Sequence, residues 1–335
     1  MTSTTSAVSP SRERLGAFVR KYLIVLILIA GMALLAIVTN GKSVGGQNLI
    51  NTVRQSCVYG ILGLGVMVVI ISGGIDLSIG SILGLAAVLS ASFAQQADWS
   101  SKMYPGFDPP VIVPLLAALG VGTLCGLING GLIAGFRIPP FIATLGMLTA
   151  ARGVDYLYTN GRPVSSLTPE YDFIGQANLF GISWLPMPIV ILVVVAVLTH
   201  LMLNNTRFGR HVYAVGGNEQ AAVVSGINLT RTKLGIYAFA GLLAGLSGMV
   251  LAARVDSGQP GLGQGFELQA ITAAVIGGTS FTGGIGTVWG TVVGALIIGV
   301  LGNAMDLLNV GPFWVPVVQG VVIVVAIIID VRKNA

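Results

Sequence analysis

Apolar runs separated by short polar or glycine-rich breaks recur along the chain, at 22–38, 57–71, 77–94, 111–135, 138–150, 184–203, 234–251, 268–276, 285–301 and 312–329. About 20 apolar helical residues cross the hydrocarbon of a bilayer. The pattern therefore predicts an all-α, polytopic integral membrane protein of about ten transmembrane helices, several of them broken or short. Run 138–150 opens on Pro139-Pro140, and run 268–276 leads into Gly277-Gly278. Interrupted backbone is tolerated at membrane depth only where protein or a water-filled cavity satisfies its polar groups, and broken helices often line a substrate route. A double glycine, a polar break and then Gly-[Ser/Thr]-x-x-Gly occurs at 73–84 and again at 277–290. This echo is as consistent with chance as with an internal repeat.

One polar stretch, 204–233, stands out between the runs. Arg207, Arg210, His211, Arg231 and Lys233 flank a core reading Gly216-Gly217-Asn218-Glu219-Gln220-Ala221-Ala222-Val223-Val224-Ser225-Gly226. Asn218 suits an N-cap, Glu219 puts negative charge at the positive end of a helix, the alanines propagate it, and Gly226 suits the left-handed C′ position. A connection between spans has no need of caps at both ends. The segment reads as a surface built to dock another protein, ahead of the blander solvated loop.

Composition narrows the class. Of 335 residues 54% are hydrophobic and 9% charged, against roughly 25% charged in soluble domains; the mean hydropathy is +0.88. The 47 glycines include many at small-xxx-small spacing, which reads mainly as close helix packing. The net charge of +5 is not gathered into a basic stripe, so nucleic acid is not expected as a partner. The cations mark a side instead: Arg12, Arg14, Arg20 and Lys21 before the first run, Arg207 to Lys233 in the middle, Arg332 and Lys333 after the last. The positive-inside rule makes all three cytoplasmic. Ten spans agree, placing both termini on one side and the loops 95–110 and 152–181, with Asp98, Asp108, Asp155, Glu170 and Asp172, outside. The domain reading is a cytoplasmic tail 1–21, one transmembrane domain 22–330 containing the polar cytoplasmic loop 204–233, and a cytoplasmic tail 331–335. No small-x-small cleavage site follows the first run, so it reads as a retained helix. Cys57 and Cys125 sit in apolar runs without other metal-ligand types and read as packing residues.

Chemistry for catalysis is missing. Gly41-Lys42-Ser43 is not a P-loop, because Ala36 stands where the first glycine belongs. His200 and His211 have no carboxylate partners in sequence, and no catalytic motif occurs; an enzyme is not expected. Asp76, after Gly73-Gly74, either caps the next helix at the membrane face or belongs to a proton route. A route for a neutral polar solute needs amides and hydroxyls instead, and Asn129, Thr144, Thr149, Gln269, Thr272, Thr279, Ser280, Asn303 and Gln319 supply them. From these and the Asp76 break, the candidate route is Asp76, Ser78, Asn129, Thr144, Gln269 and Thr279, each of which alone is more often a helix–helix hydrogen bond.

Several stretches together carry a resemblance. They are Ser72-Gly73-Gly74-Ile75-Asp76-Leu77-Ser78-Ile79-Gly80-Ser81, Pro140-Phe141-Ile142-Ala143-Thr144-Leu145-Gly146, Tyr158-Thr159-Asn160-Gly161-Arg162-Pro163-Val164, Thr206-Arg207-Phe208-Gly209-Arg210 with Gly216-Gly217-Asn218-Glu219 and Ser225-Gly226-Ile227-Asn228, and Glu267-Leu268-Gln269-Ala270-Ile271 with Gly277-Gly278-Thr279-Ser280. From about Asn51 to the end the chain resembles the membrane permeases of the ribose/galactose/xylose class of ABC sugar importers, the ribose branch most closely. The resemblance implies a bacterial inner-membrane subunit that binds no cofactor itself. Its implied partners are a cytoplasmic ATPase with two nucleotide-binding domains carrying ATP and Mg, a periplasmic sugar-binding protein, and either a second permease copy or a paired permease. It also implies that the 218–226 helix is the coupling helix, with Arg207, Gly217, Asn218, Glu219, Ala222 and Gly226 as ATPase-coupling residues. Loop 95–110 departs from the family pattern, which leaves the sugar open. The competing class is a self-sufficient secondary carrier or channel for a small neutral solute.

Overall fold

A computed structural model describes residues 10–182, 184–311 and 313–334, without the side chains of 10–21, 323, 326–327 and 329–334. The basic residues of both tails expected to mark the cytoplasmic side (Arg12, Arg14, Arg20, Lys21, Arg332 and Lys333) therefore lie outside the described side chains. The fold is helical: α1 (Pro10–Val38), α2 (Gly46–Ile71), α3 (Ile79–Phe93), α4 (Ile112–Gly135), α5 (Pro140–Thr159), α6 (Pro169–Gln176), α7 (Met187–Asn205), α8 (Arg207–Gly217), α9 (Glu219–Val224), α10 (Leu229–Val255), α11 (Phe266–Ile276), α12 (Val288–Leu307) and α13 (Trp314–Asn334). A two-residue antiparallel pairing joins Val164–Ser165 to Ser257–Gly258. Five helices, α2, α4, α7, α10 and α12, are long and apolar enough to cross a membrane.

An α-helix apolar on every side must be enclosed by others, and α2 is such a helix: every residue from Ser56 to Ile71 is buried. The helices α7, α10, α11 and α12 surround it. Glycine spacing explains how closely they approach. Gly122 and Gly126 of α4 lie against Gly241 and Gly245 of α10, so that a methyl added at Gly126 would sit 3.0 Å from the Ala238 Cα. Gly290 and Gly294 of α12 press in the same way on the end of α11. These seams are internal, as close helix packing in lipid requires; Gly131 and Gly135, at the same spacing, face open space.

Each of the ten apolar runs falls on a helix, but the boundaries correct the expectation at several places. Run 138–150 is no short, broken span: α5 is an unbroken 20-residue helix. Its two prolines occupy the cap and first helical positions, where a missing N–H costs nothing. The helix then continues past Ala150 because Arg152 and Asp155 find partners inside the protein, Arg152 donating to the Leu262 carbonyl at 2.9 Å and pairing with Asp155 at 3.5 Å. The expected loop 152–181 thus loses its first eight residues to helix. Run 234–251 likewise grows to 27 residues as α10. The short span at 268–276 is real: α11 has 11 residues and ends at a break before α12 starts at Val288.

Candidate functional site

The polar segment between α7 and α10 is built from capped pieces. The Thr206 hydroxyl accepts from the Gly209 N–H at 3.2 Å and starts α8, whose Val212 and Val215 are buried. Asn218 closes α8 and opens α9: its N–H donates to the Ala214 carbonyl, and its Oδ1 accepts from the Ala221 N–H at 2.8 Å. Gly226 has φ +83°, and its N–H and that of Ile227 close the turn on Val223 and Ala222. Asn228 then caps α10 through the Arg231 N–H at 2.9 Å. Glu219 does more than sit at a helix N-terminus, since both its oxygens accept from Lys233 Nζ, at 2.9 and 3.0 Å, and tie α9 to the start of α10. Ala222 is buried beneath α9, whereas Val224 is 89% exposed and Val223 50%. Arg207, Arg210, Gly217 and Arg231, in the same segment, are also exposed.

Beneath this surface lies a junction of backbones. The Gly284 N–H donates to the Ile71 carbonyl at 2.8 Å, joining the end of α2 to the break between α11 and α12. Gly216, in the last turn of α8, fills the space between them: an added methyl would overlap the Ile71 carbonyl and lie 2.7 Å from the Gly284 nitrogen. One turn earlier the Tyr213 hydroxyl donates to the Gly286 carbonyl at 2.9 Å. Burial pushes the phenol's pKa up, so it stays a neutral donor.

The candidate route residues divide into groups. Asp76, 1% exposed, accepts at Oδ1 from the Ser78 N–H at 2.8 Å and the Ser78 hydroxyl at 2.6 Å; Asn129 Nδ2 donates to the same hydroxyl at 2.9 Å. Asp76 therefore shapes the turn before α3 from inside the protein. Ser78, not Asp76, holds the cap position of α3, and Asp76 is enclosed by protein. Thr144 joins this group from α5 through the Ile75 carbonyl at 3.5 Å. Asp76 Oδ2, Asn129 Oδ1 and the nearby Tyr237 hydroxyl are buried without a hydrogen-bond partner. Thr279 lies in the second break, buried, its hydroxyl also unpaired. Gln269 stands apart on α11 beside Tyr59 of α2.

The external-loop candidates fold into an ordered cover. Gln95 accepts from the Met103 N–H and donates to the Ser165 carbonyl, Tyr104 stacks on Phe93 and bonds Tyr158, and Lys102 pairs with Asp108. In α6, burial and then the Asp256 carboxylate hold the Asp172 carboxyl up at about 6. The sequence reading missed Tyr213, Tyr59 and Arg254, a cation on the last turn of α10. The available signal was a lone arginine ending an apolar run.

An all-helical chain with interrupted spans and a capped helical element bonded to one of the breaks has the construction of a transport permease. The sequence matches, over residues 48–327, the model of the family described as branched-chain amino acid transport system / permease component, and the chain belongs to that family. It is 39% identical to the ribose import permease protein RbsC of Bacillus subtilis over 325 residues, 96% of this chain and 94% of that protein. It is 40% identical to RbsC of Escherichia coli K12, covering 92% of this chain and 93% of that one. Against the xylose transport system permease protein XylH of Haemophilus influenzae the identity is 35%, with 93% and 96% covered. No solved structure matches.

Proposed function

We propose that the chain is the membrane subunit of an ATP-driven importer and forms the passage for a monosaccharide, a ribose-like pentose or a hexose. The names of the ribose and xylose permeases above support the sugar class. The observation that carries the coupling is the α8–α9 element, which exposes Val223 and Val224 and is bonded through Tyr213 to the α11–α12 break. On this reading α9 seats in a groove of a cytoplasmic ATPase with two nucleotide-binding domains, where ATP and Mg act. Asn218 and Gly226 keep its ends from fraying, Ala222 packs it down, and Arg207, Gly217 and Glu219 hold its flanks. Movement of α9 reaches Gly216, and through it the ends of α2 and the second break. The route runs along the breaks, past Asp76, Ser78, Asn129, Thr144, Gln269 and Thr279.

The ten helices α1, α2, α3, α4, α5, α7, α10, α11, α12 and α13 then alternate across the bacterial inner membrane. The loop 204–233 and the tails 1–21 and 331–335 lie in the cytoplasm, α6 lies outside facing a periplasmic sugar-binding protein, and a second copy completes the passage. The importer, reconstituted with its ATPase and binding protein, should concentrate ribose, xylose or galactose only when ATP is supplied. A proton-coupled carrier is the second reading, drawing on the buried Asp76 with its unpaired oxygen; uphill uptake driven by a proton gradient alone would select it.

A further inference from the structure

About 18 Å along α2 from the Ile71 junction, taking 1.5 Å per residue, a second polar cluster forms where α2, α10 and α11 meet. Tyr59, 4% exposed, accepts at its hydroxyl from Gln55 Nε2 at 2.8 Å. The ring of Phe266 stands edge-on to it, with centroids 5.0 Å apart and 72° between planes. The Gln269 amide lies beside the same hydroxyl, and the Arg254 guanidinium, at the end of α10, is near enough to act on it electrostatically. Two groups here have chemistry left over. Gln269 Oε1 is buried with no hydrogen-bond partner. Arg254 is half-buried and, among the described residues, makes no side-chain hydrogen bond or ion pair, whereas its neighbour Arg54 is engaged by the Gln176 carbonyl and Asn178 Oδ1 at 3.0 and 2.9 Å. Segment α6 closes over the cluster, with Gly175 packed on the Arg254 backbone and Gln176 donating to the Ala253 carbonyl at 3.0 Å.

We infer that Gln55, Tyr59, Arg254 and Gln269 form a binding site for the hydroxyl groups of a neutral polyol, with Phe266 and the Tyr59 ring as its apolar wall. The site rests on the importer reading and gives the passage a solute contact beneath α6. A hydroxyl donates one hydrogen bond and accepts others. The arginine fork offers parallel donors to two adjacent hydroxyl oxygens, the Tyr59 O–H adds another donor, and Gln269 Oε1 takes a hydroxyl proton. A carboxylate or phosphate would satisfy Arg254 but leave the Gln269 oxygen facing another acceptor. Donors and an acceptor together therefore select a polyol over an anion.

The test uses the complete importer in proteoliposomes with ribose, xylose and galactose. Arg254→Ala and Gln269→Leu should each lower uptake about tenfold, the scale of one lost hydrogen bond, while ATPase co-purification is unchanged and Arg254→Lys recovers only part. A second measurement is independent of transport. In a background with Cys57 and Cys125 replaced, Gln269→Cys is labelled with maleimide in the purified complex. A transported sugar at millimolar concentration should slow labelling, betaine at equal osmolarity should not, and Arg254→Ala should abolish the protection. Stronger protection by gluconate or phosphate than by sugar overturns the polyol assignment. So does wild-type uptake in the variants together with an unprotected thiol. If the wild-type importer moves none of the three sugars, the importer reading fails first and this site falls with it.

Discussion

Replacing Gly216 with alanine strikes the point where α8 meets both breaks. The added methyl would overlap the Ile71 carbonyl oxygen and stand 2.7 Å from the Gly284 nitrogen, where unstrained contacts need ~3.5–4.0 Å. Backbone must therefore move by about 1 Å at Gly284 and by more at Ile71. Overpacking of this kind costs about 1–3 kcal/mol. Separating Gly284 from Ile71 removes a 2.8 Å hydrogen bond, worth about 1 kcal/mol net. The sum, about 2–4 kcal/mol, lies below the ~5–15 kcal/mol that holds a domain folded. It is still enough to disfavour the joined arrangement by about thirtyfold or more.

The variant should insert, keep its ATPase and hydrolyse ATP, yet move less sugar per ATP in proteoliposomes. Gly131→Ala is the matched control, since a methyl there meets nothing within 4 Å. Tyr213→Phe removes only the bond to the Gly286 carbonyl, adds no volume, and should give a smaller loss in the same direction. An uptake-to-hydrolysis ratio equal to wild type in both Gly216→Ala and Tyr213→Phe would refute transmission through this junction.

Three further outcomes are expected. Asn218→Ala removes an N-cap worth about 1 kcal/mol, and Glu219→Lys exchanges the pair with Lys233 for a repulsion; both should insert normally but lose ATPase co-purification, and full retention in both would make the segment an ordinary loop. Asn129→Leu leaves the Ser78 hydroxyl without its amide donor and should lower uptake at least severalfold with assembly intact, an effect that normal initial rates would disprove. Burial and Asp256 hold Asp172 at about 6 against an ordinary 3.8. A folded-state value raised in this way contributes stability that is complete below the ordinary value and is lost as pH rises through about 6. Detergent-solubilised protein should accordingly melt higher at pH 5 than at pH 7, with a smaller difference in Asp172→Asn; an identical difference in the variant would remove Asp172 as the cause.

Spans and caps were readable because each depends on local pattern. Apolar length announced the helices, and Asn218, Glu219 and Gly226 announced α9 through side-chain chemistry that acts within one turn. The extent of α5 was hidden because Arg152 and Asp155 read as the end of a span, and only their partners Leu262 and Gly261, more than a hundred residues away, let the helix continue. The Gly216 junction was equally hidden, since a backbone contact between residues 71, 216 and 284 leaves only glycines in the sequence, among 47 of them. Of the candidate route residues, Asp76, Ser78, Asn129 and Thr144 assemble, while Gln269 lies beside Tyr59 instead. That division depends on how α4 and α5 pack on α3, and α10 and α11 on α2, which periodicity does not encode.

The central claim is that another chain's ATP hydrolysis drives a sugar through this one. Uptake of labelled ribose, xylose and galactose should be followed in proteoliposomes holding either the purified chain alone or the chain with its ATPase and binding protein, with and without ATP inside and with and without an imposed proton gradient. Accumulation of at least one sugar only in the complete system, only with ATP, and without dependence on the gradient is the predicted result. Accumulation by the chain alone under a proton gradient would contradict it.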